Sequence, residues 1–471
     1  MNQDFSEPFE EYNETSPEEV ARRFELLLKR KESPAFSEEV FESLTEHYLV
    51  KGNFEMALKA CNYGLRLYPN SLDMLLNKVQ VLINRLELYE ATEVLDHASV
   101  FYPSDTEIRY FRGVINIYSG ENEKAIEIFR EILPISEEKE NIYFQLGMAQ
   151  SGLGLLEDSI ESFQKAIQEN SKSEIVYTEL VFSYELASAL EQGVAYFKTL
   201  IDRDPYNYLA WFALGQCYNN LNLFEEAKDA FGYVTAINDK FSGGWYSLGQ
   251  SHLNLEEYEQ AKECFQYTLD LEEESAEVLV HMGASHERLE EFSDAFKCYK
   301  RASELDEYSD EAWFGMSSVL YEQERYVEAI HFIKKAIRLN GANSDYWLLL
   351  ADNESKFGNI LSAEEAYGKA VELNPIDPDI WLNWSLLYFD SEDYKKALEI
   401  VTDGLEDLPE EADLYYRATV YLLYDGSFTM AYKYLQEALA LDYDKHVQLY
   451  DFFSNLNTLK TLQRIIEQYK A

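Results

Sequence analysis

Apolar residues recur along this chain at intervals of three and four, the spacing of one face of an α-helix, and the stripes come in pairs. Trp211, Leu214, Gly215 and Tyr218 make a stripe of the first kind; Tyr258, Ala261, Phe265 and Thr268 make one of the second, after a short turn. The paired pattern returns every 34 residues. Repeats begin at 38, 72, 106, 140, 174, 208, 242, 276, 310, 344, 378 and 412, with no insertion or deletion before Lys445. The spacing therefore predicts twelve tandem repeats over 38–445 (38–71, 72–105, 106–139, 140–173, 174–207, 208–241, 242–275, 276–309, 310–343, 344–377, 378–411 and 412–445), each a helix A followed by a helix B.

Small residues mark where these helices must approach. The twentieth residue of every repeat is Ala, Ser or Gly, from Ala57 and Ala91 through Ser159 and Gly193 to Ala431, and the eighth is nothing larger than Val. A larger side chain at either place forces the pair apart. Bulk is supplied at the fourth position by Trp211, Trp245, Trp313, Trp347 and Trp381, and at the twenty-fourth by Phe129, Phe163, Phe197, Phe231, Phe265, Tyr299 and Tyr367. Glycine stands in the A–B turn of five repeats (Gly52, Gly120, Gly154, Gly358, Gly426), and Pro69, Pro103, Pro205, Pro375 and Pro409 share a place just past helix B, where a ring that ends a helix is tolerated. Arg109, Ile132, Leu200 and Gly193 break the pattern, so the third to fifth repeats are expected to pack less regularly, with a kink or altered curvature.

The ends read as covers for the array. Ser16-Pro17-Glu18-Glu19 is an N-cap, a first-turn proline and two acids, opening a capping helix within 16–37. Residues 446–471 predict a last amphipathic pair with Leu449, Phe452, Phe453 and Leu456 facing inward, and 1–15 reads as a disordered acidic tail.

The string of Trp or Tyr, Leu-Gly, Tyr, then Ala, Phe and Ala, seen in register as Tyr143-Phe144-Gln145-Leu146-Gly147 followed by Ser159, Phe163 and Ala166, resembles the tetratricopeptide repeat over 38–445. The resemblance implies an all-α fold, a right-handed superhelical solenoid of antiparallel helix pairs, whose A helices line a concave groove. In that geometry the second, fifth, sixth, ninth, twelfth and thirteenth residues of each repeat face the groove. It also implies a non-enzymatic scaffold or adaptor that binds other proteins.

On those positions, repeats three to seven carry few charges. They place Tyr110, Phe111, Phe144, Phe182, Phe212 and Tyr246 among Gln145, Gln216, Asn219, Asn220, Gln250 and Asn254. Aromatic rings offer anchoring area, and side-chain amides pair with both the N–H and the C=O of an extended backbone. The expected ligand is a peptide segment, anchored mainly by Phe144, Phe182, Phe212 and Tyr246. Later repeats put acids on the same face, among them Glu311, Glu322, Asp345, Asp352, Asp379 and Asp413, an end suited to basic segments. The family's chaperone adaptors hold acidic carboxyl termini in a cationic clamp; Asn383 and Arg417 match two of its places, but Leu348, Asp352 and Asp413 stand in the other three. Two further arrangements compete: Phe5, Pro8, Phe9 and Tyr12 of the tail lying in the groove, and a structural subunit or homodimer built through residues 446–471.

Charge narrows the partners. Forty basic against 87 acidic residues leave −47, which repels nucleic acid and anionic membrane and favours neutral or basic proteins. A hydrophobic fraction of 46% nevertheless supports a folded chain. Cys61, Cys217, Cys264 and Cys298 occur singly, as expected of reduced thiols in a cytoplasmic protein. The amino terminus has acids where a secretory leader needs cations, and no stretch approaches a membrane span. Lys29-Arg30-Lys31 reads as a helix end, where cations complement the dipole. No phosphate-binding, zinc-protease or calcium-loop motif occurs, and His252, His281 and His286 read as packing residues, so no cofactor and no metal are expected.

Overall fold

The computed structural model describes residues 16–453 and 460–470. The tail 1–15, with Phe5, Pro8, Phe9 and Tyr12, and the inward place expected for Leu456 lie outside the described residues. All regular structure among the described residues is helical. The chain divides into two compact units between Asn238 and Asp239.

In the first unit α1 (Pro17–Lys29) precedes six hairpins: α2 (Glu38–Val50) with α3 (Phe54–Leu67), α4 (Leu72–Asn84) with α5 (Leu88–Phe101), α6 (Thr106–Tyr118) with α7 (Asn122–Ile132), α8 (Lys139–Gly152) with α9 (Leu156–Glu169), α10 (Glu174–Leu186) with α11 (Leu190–Arg203), and α12 (Tyr208–Asn220) with α13 (Phe224–Ile237). The second unit holds α14 (Ser242–Asn254) with α15 (Tyr258–Leu271), α16 (Ala276–Arg288) with α17 (Phe292–Leu305), α18 (Asp310–Glu322) with α19 (Tyr326–Leu339), α20 (Ser344–Phe357) with α21 (Ile360–Leu373), α22 (Pro378–Asp390) with α23 (Tyr394–Asp407), and α24 (Ala412–Tyr424) with α25 (Phe428–Leu441). A 3-10 turn (Asp444–Gln448), α26 (Leu449–Phe452) and α27 (Lys460–Tyr469) follow.

Each hairpin closes around the contact the small residues foretell. At the eighth position Gly147 and Gly249 lie so close to the ring of the twenty-fourth that an added Cβ would meet Phe163 at 2.6 Å and Phe265 at 2.7 Å. The Phe rings themselves are buried, and so is every alanine at the twentieth position. The fourth-position tryptophans secure the preceding turn: the indole N–H of Trp211, Trp245, Trp313, Trp347 and Trp381 donates to the carbonyl six residues earlier, at 2.9–3.1 Å. The corner between A and B needs a left-handed residue in every hairpin. Five are glycines, but Leu86, Ser188, Asn222, Glu256, Glu290, Glu324 and Glu392 hold the same positive φ, which explains why glycine alone marks the turn incompletely.

Two irregularities fall where the pattern breaks. α7 ends at Ile132, two residues before Pro134, whose ring cannot continue a helix. α10 and α11 pack over a shorter stretch than the other hairpins, while α10 and α12 approach more closely. In the first unit α2 touches α4, α4 touches α6, α6 touches α8 and α10 touches α12, while cavities of about 500 Å³ and about 420 Å³ open between the B helices α3 and α5 and between α11 and α13.

Candidate peptide-binding face

Along the A helices of the first unit the expected anchors are not equivalent. Those at the fifth position turn toward their own hairpin: Tyr110 lies 5.9 Å from Phe129, Phe144 5.8 Å from Phe163 and Phe212 5.7 Å from Phe231, centroid to centroid. Tyr110, Phe111 and Phe144 are half-buried. Phe212 is only 7% exposed, so, against expectation, its ring is largely withdrawn from any ligand. The ninth-position Phe182 points outward at 49% exposure, and on the same stripe of α10 stand Ile175 (56%) and Leu186 (48%). Burial holds the Glu179 carboxyl on that helix above the ordinary range.

The amides of this unit are partly engaged. Gln145 donates to the Tyr110 hydroxyl at 3.4 Å, and Asn220 donates to Glu185 at 2.9 Å, tying α12 to α10. Gln216 Oε1 and Asn219 Oδ1, also on α12, are buried with no hydrogen-bond partner. A buried acceptor left unmet costs about 1–3 kcal/mol, so these two favour an incoming donor.

In the second unit Tyr246 is half-buried, accepts from Gln250 at 2.8 Å and donates to Glu277, while Asn254 is exposed. Of the acids, Glu311, Glu322, Asp345 and Asp379 are exposed. The other two are not the free charges expected. Asp352 accepts from the Tyr367 hydroxyl at 2.6 Å and from Asn383 at 3.3 Å, and burial pushes its carboxyl up to about 6. Asp413 is paired with Lys445 at 2.8 Å and accepts from Gln448 at 2.9 Å. A sequence signal for the first case exists: tyrosine replaces phenylalanine at the twenty-fourth position where a carboxylate awaits it, Tyr367 with Asp352 and Tyr299 with Glu287 at 2.8 Å. Ile175 and Leu186 carry a similar signal, as apolar residues on positions that otherwise face outward.

Burial lifts the thiols of Cys61 and Cys298 to about 11 and those of Cys217 and Cys264 to about 12, far from thiolate nucleophiles. The Nδ1 atoms of His252 and His286 lie 2.6 Å and 2.5 Å from the turn carboxylates of Glu257 and Glu291. Among the described residues no group of three or more His, Cys, Asp or Glu could hold a metal ion, and no helix is long and apolar enough to cross a membrane.

Stacked helical hairpins with an exposed A-helix stripe define an all-α repeat scaffold. Family models described as tetratricopeptide repeat match residues 140–173, 196–229, 246–309, 280–344 and 348–412. The chain belongs to the tetratricopeptide-repeat family, whose members are in general non-enzymatic protein-interaction scaffolds. No curated protein matches it in sequence. Two solved structures are similar at a distance. The APC/C hetero-tetramer Cut9–Hcn1 shares 13% identity over 86% of this chain and 99% of that one, with a TM-score of 0.44. YrrB, described as a TPR protein with an unusual peptide-binding site, shares 19% over 42% of this chain and 97% of that one, with a TM-score of 0.34.

Proposed function

We propose that this scaffold holds an extended, neutral-to-basic protein segment against its A-helix face, with α10 and α12 of the first unit as the anchor. One juxtaposition carries the reading: the exposed stripe of Ile175, Phe182 and Leu186 stands beside a helix whose Gln216 and Asn219 oxygens lack donors. Apolar side chains of a ligand would cover the stripe, and its backbone N–H groups would meet the two oxygens. The excess of acids, 87 against 40 basic residues, adds attraction for cationic segments and repels polyanions.

Because Phe212 is buried, a charge placed there would disturb the fold, so the test uses the exposed ring alone. Intact chain, the Phe182→Glu variant and a control with the 75%-exposed Val100 of α5 changed to Glu are used side by side to capture proteins from native lysate. Proteins lost with Phe182→Glu and kept with Val100→Glu are the expected result. Identical sets from all three would remove α10 from the binding surface.

A further inference from the structure

The carboxyl-terminal segment does not simply extend the stack beyond α24. Lys445 pairs with Asp413 at 2.8 Å and Glu411 at 3.3 Å, and Gln448 donates to the other Asp413 oxygen at 2.9 Å. The Phe452 ring lies 4.9 Å from the Arg417 guanidinium carbon and 5.5 Å, edge-on, from Phe389. Phe453 stacks on Tyr424 at 5.2 Å, and the Tyr424 hydroxyl donates to the Phe452 carbonyl. Asp413, Arg417 and Tyr424 of α24 and Phe389 of α22 hold the second, sixth, thirteenth and twelfth positions of their repeats, the same face as Phe182. Phe452 thus reaches past the last A helix to the one before it, and the segment lies across both.

Its fit is incomplete. Arg417 Nε and Nη1 are buried with no hydrogen-bond partner, and an aromatic face gives the cation an attractive surface but not two acceptors. A competing segment that kept the lysine and the aromatic pair and brought an acceptor to Arg417 would satisfy more of the site than the chain's own residues do.

We propose that residues 444–453 are a built-in occupant of the A-helix face of the second unit, displaced by an external protein segment of the same chemistry: a lysine, an aromatic pair, and an acceptor for Arg417. The proposal rests on reading the A-helix face as the binding face, but it uses no residue of the first unit.

The test is fluorescence anisotropy with a labelled synthetic peptide of residues 443–453. It is titrated with the unaltered full chain and with a released variant carrying Lys445→Glu, Phe452→Ala and Phe453→Ala. An internal occupant lowers apparent affinity by the fraction of sites it leaves open, so the peptide is expected to bind the released variant at least about tenfold more tightly. Adding Asp413→Asn and Arg417→Gln should then abolish binding, while adding Phe182→Glu should not alter it. Equal affinity for the two chains overturns the proposal, and so does loss caused by Phe182→Glu, which would put the peptide on the first unit. Amide exchange supplies the remaining control: if release strips protection from α24 and α25, the segment is a structural cap and the proposal falls.

Discussion

Asp352 carries a carboxyl that burial holds near 6 even though Tyr367 and Asn383 both donate to it. Its unfolded value is about 3.9. Between these two values the native chain retains a proton that the unfolded chain has lost, so this group's contribution makes stability fall as pH rises from about 4 through 6. At about 1.4 kcal/mol per pH unit the loss is at most about 3 kcal/mol. Asp352→Asn removes the titration and keeps an oxygen for Tyr367. Urea denaturation is therefore expected to show the variant more stable than the unaltered chain at pH 8, with the gap closing near pH 4; a variant less stable at pH 8 would contradict this. The same scale shows why the site was only partly legible in the sequence. Helical periodicity places fifth- and ninth-position aromatics on one face, but Phe212 turns back on Phe231 while Phe182 remains exposed. The fifth-position rings of Tyr110, Phe144 and Phe212 all turn onto their own hairpin, a distinction between fifth and ninth positions that a shared helical stripe does not resolve.

Each helical hairpin is a lock between a small eighth residue and a large twenty-fourth. In α14 and α15 the lock is Gly249 against Phe265, where a Cβ would sit 2.7 Å from a ring atom. Gly249→Val must displace a buried ring, and overpacking of this kind costs about 1–3 kcal/mol. A lowered urea midpoint with helical content unchanged in native buffer is the expected outcome; no change would show that Phe265 moves freely. Hairpins of this kind are what the sequence made most legible, because two helices in van der Waals contact leave a size constraint at fixed intervals. The corner was less so. Its left-handed residue is Gly154 in one hairpin and Glu290 in another, and the backbone imposes the same conformation on both. At α10 the difficulty lay elsewhere: Gly193, buried against Tyr184 and Cys217, signals an irregular hairpin without saying that α10 moves toward α12.

Over the whole molecule, 87 acidic side chains against 40 basic ones make self-repulsion the dominant long-range force. Several ion pairs among the described residues are exposed neighbours on one helix, such as Lys59 with Glu55 and Lys369 with Glu372, which add little. Raising sodium chloride from about 10 mM to about 0.3 M shortens the screening length several-fold, so the thermal midpoint should rise; a fall would mean that attractive pairs outweigh the repulsion. At this scale the period is silent on one point. The 34-residue register passes through Asn238 and Asp239 unchanged, so the division into two compact units leaves no mark in it. The central claim is that an extended segment binds along the A helices through the α10 stripe. Its most direct test is to select binders of the intact chain from a random peptide library and measure the affinity of each for the Phe182→Glu and Val100→Glu variants. Binding weakened about tenfold or more, ~1.4 kcal/mol, by Phe182→Glu and unchanged by Val100→Glu is the result the structure predicts. Peptides indifferent to Phe182→Glu, or lost with Val100→Glu, would contradict it.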